Sequence, residues 1–132
     1  MPMIQTKRLR LYPFAERHLT AQYVAWLNDS DLMHFSEQRY RSHTIESCRS
    51  YWLSFAGSAN FFWAIEEVEA GLGHIGNLNA YIDVQNGLAD SGVLIGEKRG
   101  QGRGYALEAW LAVCNFLFQE RKIRKISLGL WR

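Results

Sequence analysis

The chain has 132 residues and a mass of 15.3 kDa, enough for one domain with a true hydrophobic core. Its 48% hydrophobic content excludes a disordered tail, and fifteen Lys and Arg against thirteen Asp and Glu are too balanced to point to a nucleic-acid partner. No stretch reaches the roughly 18 apolar residues of a membrane span, and Met1 to Leu11 lacks the apolar run of a signal peptide, so the expectation is a cytoplasmic protein without a membrane partner. Cys48 and Cys114 form neither a disulfide framework nor a closely spaced metal pair, so no metal site is expected, and Cys114 lies in an apolar helical pattern as a buried thiol.

Thr6 to Phe14 alternates as a first strand, with Leu9 and Leu11 on one face, Arg8 and Arg10 on the other, and Pro13 closing it. Leu19, Tyr23, Trp26 and Leu27 then make a helical stripe that Asn28 to Asp31 stops. Leu32 to His43 is irregular and polar and reads as a long loop. Thr44, with Glu46 and Ser47 behind it, starts a second helix that runs to about Phe55. Phe61 to Val68, His74 to Val84 and Asp90 to Gly96 read as successive strands joined by turns at Glu69–Gly73 and Asp83–Gly87, hence an antiparallel sheet. Tyr105 to Glu120 is the strongest helix, with Leu107, Leu111, Cys114 and Phe118 along the face expected to meet the sheet and Trp110, Val113 and Leu117 widening it. Ile123 to Leu130 follows as a strand. The crossover through that helix predicts that it runs parallel to Asp90–Gly96. The fold class expected is a mixed α/β (α+β) arrangement, a central β-sheet flanked by helices, forming one domain over residues 1–132.

The chemical signal lies in Arg99-Gly100-Gln101-Gly102-Arg103-Gly104-Tyr105, between a strand and the strong helix. Alternate glycines clear the inner curve of the turn, so successive backbone N–H groups converge on an anion at the helix N-terminus, and Arg99 and Arg103 add charge. A pyrophosphate suits this geometry. A P-loop would end in Gly-Lys-Ser/Thr, and the dinucleotide fingerprint needs the spacing Gly-x-Gly-x-x-Gly after an early strand of a parallel unit; neither is present. A glycine-rich connection without a ligand remains the alternative from these residues alone.

With these residues in view, the chain resembles the GCN5-related N-acetyltransferase superfamily, in the branch of ribosomal-protein and small-molecule N-acetyltransferases. Arg99, Gly102 and Gly104 match its signature, and Thr6-Lys7-Arg8-Leu9-Arg10-Leu11, Trp26-Leu27-Asn28-Asp29, Gly73-His74-Ile75-Gly76 and Glu108-Ala109 match in the expected order. The resemblance implies acetyl-CoA as cosubstrate. It places the pantetheine arm and the thioester oxygen along Val93, Leu94, Ile95 and Gly96, and the pyrophosphate on the backbone of Gln101, Gly102, Arg103, Gly104 and Tyr105. It also implies direct attack by an amine, without an acyl-enzyme.

The attacking amine needs a base, and Asp90, near the start of the strand leading to the thioester, is the first candidate, followed by His74. Glu97, Asp83, His34 and Glu37 are further ones. The acceptor cleft is expected at the loop after the first helix and the polar sheet residues, with His34, Glu37, Asn77 and Tyr81 binding the acceptor and Asn79 beside them. Their hydroxyl, amide and imidazole groups favour an amino sugar over other small amines or a peptide N-terminus. Family members continue beyond Leu128–Trp131 with a further helix and two strands, so the expectation is an incomplete C-terminal portion. The alternative function is a catalytically inactive truncated core or a non-enzymatic structural or dimerisation module, and a homodimer covering the last strand is a further expectation.

Overall fold

The computed structural model describes residues 2–29, 31–33 and 42–131, of which 129–131 are described by their backbone alone. Six strands form one sheet: β1 (Ile4–Gln5), β2 (Leu9–Pro13), β3 (Phe61–Glu67), β4 (Gly73–Asp83), β5 (Leu88–Ile95) and β6 (Lys125–Trp131). They lie in sequence order, and every neighbouring pair is antiparallel except β5 and β6, which are parallel. That parallel pair follows from the crossover through α3 (Tyr105–Glu120). Helices α1 (Ala21–Asn28) and α2 (Ile45–Leu53) cover the opposite face.

Local chemistry explains the boundaries. Thr20 caps α1 by accepting the Tyr23 N–H, and Thr44 and Ser47 form a reciprocal capping box at α2. The first strand is shorter than its alternation predicts. Thr6 is not in it: its N–H bonds the Leu9 carbonyl and its hydroxyl accepts the Leu9 N–H, making the turn between β1 and β2. Strand β1 has only two residues, too few for a period to show.

Leu9, Leu11, Trp63, Ile65, Ile75, Leu78 and Val93 form the core under α3, and Phe14, Tyr23, Trp26, Cys48, Phe62 and Leu94 form the core under α1 and α2. The face that α3 turns to the sheet is Tyr105, Ala109, Val113 and Leu117. This corrects the expected stripe: Cys114 is buried, but Leu107, Leu111 and Phe118 are exposed at 59%, 54% and 48%. The helix is apolar on two arcs, and small Ala109 marks the arc that approaches the strands closely.

Candidate active site

The glycine-rich turn is built as an anion cradle. Gly102 and Gly104 have φ of +75° and +79°, the left-handed region that a side chain disfavours, and they alternate with Arg103. Among the described residues, no protein group accepts a hydrogen bond from the backbone N–H of Gly102 through Leu107, and Gly104 caps α3 without a side-chain acceptor. These donors share one helix N-terminus, where an anion is stabilised by the aligned peptide dipoles. Arg103 is exposed and has no ion-pair partner among the described residues. Arg99 instead gives its Nε to Glu97 at 2.9 Å, and Glu97 also takes Gln22 Nε2 at 2.9 Å. Gln101 donates its side chain to the Ile95 carbonyl and its N–H to that of Lys98, so it ties the turn to β5.

Two acids, one half-buried and one buried, hold the turn in place. Glu108, in the first turn of α3, accepts from Thr6 Oγ1 at 2.5 Å, the Arg8 N–H at 3.0 Å and Arg8 Nε at 2.7 Å. Burial opposes its charge, but Thr6 and Arg8 outweigh that and keep the carboxyl below its ordinary value. The Arg8 guanidinium also lies 4.3 Å from the centre of the Tyr105 ring, and its Nη2 would stand 3.7 Å from a Cβ at Gly104. Glu67, only 1% exposed, accepts from the N–H groups of Ala70 and Leu72 and from the Tyr105 hydroxyl. Burial again raises its carboxyl and these donors more than compensate, leaving it below its ordinary value. Tyr105 therefore turns its ring and hydroxyl inward and offers the turn only its backbone.

At the end of β5 the chain passes from the sheet to the turn. A bulge sets Ile65 opposite Gly76 but Glu66 opposite His74, and the carbonyl of the extra residue, Ile75, accepts from both Gly96 and Glu97. The Gly96 N–H is thus already donated within the sheet. A Cβ at Gly96 would lie 2.1 Å from the Trp26 ring, and one at Gly76 would lie 2.0 Å from the Leu94 carbonyl, so both glycines are required by close approach. On the outer side of β5 the register with β6 runs to Leu94↔Trp131; Val93 and Leu94 face a neighbouring strand, and Ile95 and Gly96 lie beyond it.

A cavity of about 460 Å³ opens between α1, α2 and the sheet. Its polar wall is Tyr51, Asn77, Asn79, Tyr81, Ser42 and His43, with Leu94 at the end nearest the turn. Tyr51 and Tyr81 share a hydroxyl hydrogen bond at 2.5 Å, and Asn79 Nδ2 donates to Tyr51 Oη at 3.3 Å. Burial, then the bond to Tyr81, raises the Tyr51 hydroxyl far above its ordinary value, so it stays protonated. Cys48 also lines the cavity, but burial pushes its thiol up, which argues against a thiolate nucleophile. Asn28 holds the entry in shape by clasping the His43 backbone, Nδ2 to O at 2.9 Å and N–H to Oδ1 at 2.8 Å. A larger groove of about 640 Å³ lies between the turn after α2 and the C-terminus of α3, at the far end of the strands from the glycine turn.

The sequence candidates separate in space. Asn77 and Tyr81 meet in the cavity, whereas Asp90 is exposed and outside its lining, paired in register with Tyr81, and accepts from Ser127 Oγ at 2.8 Å. His74 stands behind Asn77, with Nε2 2.9 Å from Asn77 Oδ1 and its ring 5.0 Å from that of His18 and 5.1 Å from that of Trp26. Burial, then the neighbouring His18, hold His74 below its ordinary value despite the Asn77 contact. Asp83 accepts from Asn86 in the β4–β5 turn, away from the cavity. His34 and Glu37 lie outside the described residues. Arg8, Glu67 and Tyr51 carry weight here that no spacing announces, although the Thr6–Arg8 and Glu108–Ala109 matches were both visible and turn out to be two sides of one contact.

The described chain has no helix long and apolar enough to cross a membrane. No curated protein sequence matches it. Its fold is similar to a GNAT-family acetyltransferase from Bacillus anthracis (TM-score 0.77, 20% identity, covering 96% of this chain and 72% of that one). It is also similar to the spermidine N-acetyltransferase of Vibrio cholerae, solved with CoA and spermine (TM-score 0.77, 17% identity, 93% and 71%). A third likeness is to a GCN5-related N-acetyltransferase from Brucella melitensis (TM-score 0.70, 17% identity, 95% and 58%). The chain thus spans between 58% and 72% of the length of these structures, and at such identities the likeness is one of fold. The model of the acetyltransferase (GNAT) domain matches residues 8–129, from the arginine of the Glu108 clamp to the last strand, and the chain belongs to that family.

Proposed function

We propose that this protein transfers an acetyl group from acetyl-CoA to the primary amine of a small molecule. The observation that carries this reading is the fan of unpaired N–H groups from Gly102 to Leu107, set over two left-handed glycines beside unpaired Arg103. It fits the pyrophosphate of the coenzyme. Leu94, a few residues before the turn, lines the cavity on the opposite face, where an acceptor amine would meet the thioester. The amine lone pair forms the C–N bond, the tetrahedral oxyanion collapses, and the C–S bond breaks to release the coenzyme thiol. Asp90, the register partner of Tyr81, takes the ammonium proton through water before attack, and the proton the nitrogen loses afterwards passes through solvent to the departing thiolate.

The cavity wall supports an oxygen-rich acceptor with no second cationic group, such as an amino sugar. Its described lining is hydroxyl, amide, imidazole and apolar, and no carboxylate is among the described lining residues, as a polyamine would call for. Calorimetric titration of acetyl-CoA tests the coenzyme site: binding by the parent, reduced at least about tenfold in Gly102→Ala, is expected, and equal binding by both would remove the turn from the site. A thiol-release assay over a panel of amines then tests transfer. Association of two copies is a second reading, favoured by exposed Leu107, Leu111 and Phe118 on α3. Sedimentation of the purified chain distinguishes monomer from dimer.

A further inference from the structure

Asn77 has a polar atom to spare. The residue is 6% exposed, its Oδ1 is engaged by His74, and Nδ2 has no partner among the described residues. A buried amide donor left without an acceptor is uncommon and calls for a reason. The neighbouring Asn79 shows the ordinary case, since its Nδ2 is donated to Tyr51 within the same wall.

The placement of Asn77 supplies the reason. It lines the cavity, and its register partner across the sheet is Leu94, the cavity residue nearest the anion turn. His74 fixes the carboxamide: Oδ1 only accepts, so Nε2 of a neutral imidazole donates to it, and Nδ2 is the atom left over in a side chain that lines the cavity. The imidazole itself cannot swing away without disturbing His18 and Trp26, against which it packs edge-on.

We infer that Asn77 reads the acceptor: its Nδ2 donates to an oxygen on the carbon next to the one bearing the reacting amine. The substrates this selects are amines with a vicinal hydroxyl or carbonyl oxygen, and plain alkylamines are discriminated against. His74 is then a positioning residue that acts through Asn77 and not the base. This rests on the cavity being the acceptor site of the proposed transfer.

The test uses matched amines that differ in the neighbouring oxygen: glucosamine against cyclohexylamine for a hydroxyl, alaninamide against isopropylamine for a carbonyl. Binding is measured by calorimetry with CoA present, and acetylation separately by thiol release. The oxygen-bearing member of at least one pair is expected to bind about tenfold more tightly. In Asn77→Asp, which keeps an acceptor for His74 and removes the donor, and in Asn77→Ser, that preference falls below about twofold while acetyl-CoA affinity is retained. His74→Gln, which still offers an N–H to Oδ1, keeps the preference and the pH profile of kcat; His74→Leu loses the preference. Absence of any preference in the parent, or its persistence in both Asn77 variants, overturns the inference. Discrimination in binding without acetylation of any amine leaves the Asn77 inference standing and defeats the transfer reading. Acetylation with equal kcat/KM for both members of each pair does the reverse.

Discussion

Glu67 and Tyr105 divide structure from binding at a single position. The hydroxyl of Tyr105 is spent on the buried Glu67 carboxylate, while its backbone N–H stays open at the helix start. Tyr105→Phe is therefore expected to lower unfolding stability by about 1–2 kcal/mol, the cost of removing one donor from a buried carboxylate, and to leave acetyl-CoA affinity within about twofold. Thermal denaturation and calorimetry read the two effects; a stable variant that no longer binds would place the hydroxyl in the site. The two arginines of the turn separate in the same way. Arg99 is already paired with Glu97 and Arg103 is not, so Arg103→Gln should weaken acetyl-CoA binding about three- to tenfold and Arg99→Gln by less. Both arginines stand out in the sequence as anion contacts, but their difference depends on Glu97, and no pattern marks a carboxylate two residues away as the partner.

Helix α3 was legible from end to end, Tyr105 to Glu120, because its sixteen residues give a full helical period and a glycine start. Its inward face was legible only in part: Val113 and Leu117 were placed on it, but Leu107, Leu111 and Phe118 compete with Tyr105 and Ala109 in hydrophobicity, and the choice between them is made by how closely a helix can approach a sheet. The parallel β5–β6 pair was legible from the crossover; the bulge at Ile75 was not, since it depends on the pairing of two strands. One side chain joins these elements. Ser91 on β5 donates to the Ser127 carbonyl on β6 at 2.8 Å and accepts from Trp110 Nε1 on α3 at 3.0 Å. Ser91→Ala leaves the indole N–H without that acceptor and should cost about 1–2 kcal/mol in urea unfolding. An unchanged midpoint would show that the three elements hold together without it.

Over the whole molecule, stability should depend on pH through two histidines. His18 accepts the Ala15 N–H at Nδ1, so its ring is neutral and donates Nε2–H to Glu66. Burial, outweighing Glu66, holds His18 below its ordinary value of 6.5, and burial does the same for His74. Both bind a proton more weakly folded than unfolded. Their contribution is complete above about 6.5 and is lost as pH falls from there through the lower folded values. Melting temperature should be level above about pH 7 and decline below about 6.5, with a shallower decline in His18→Gln; an equally steep decline would assign it to other groups. The proposed coenzyme turn belongs to the α3 side of the sheet and the proposed acceptor cavity to the α1–α2 side, with β5 between them. Two entrances on opposite sides mean that neither substrate has to wait for the other. Kinetics should follow a random-order ternary pattern, in which CoA competes with acetyl-CoA and is noncompetitive toward the amine, so that spent coenzyme exchanges while the next acceptor is already seated.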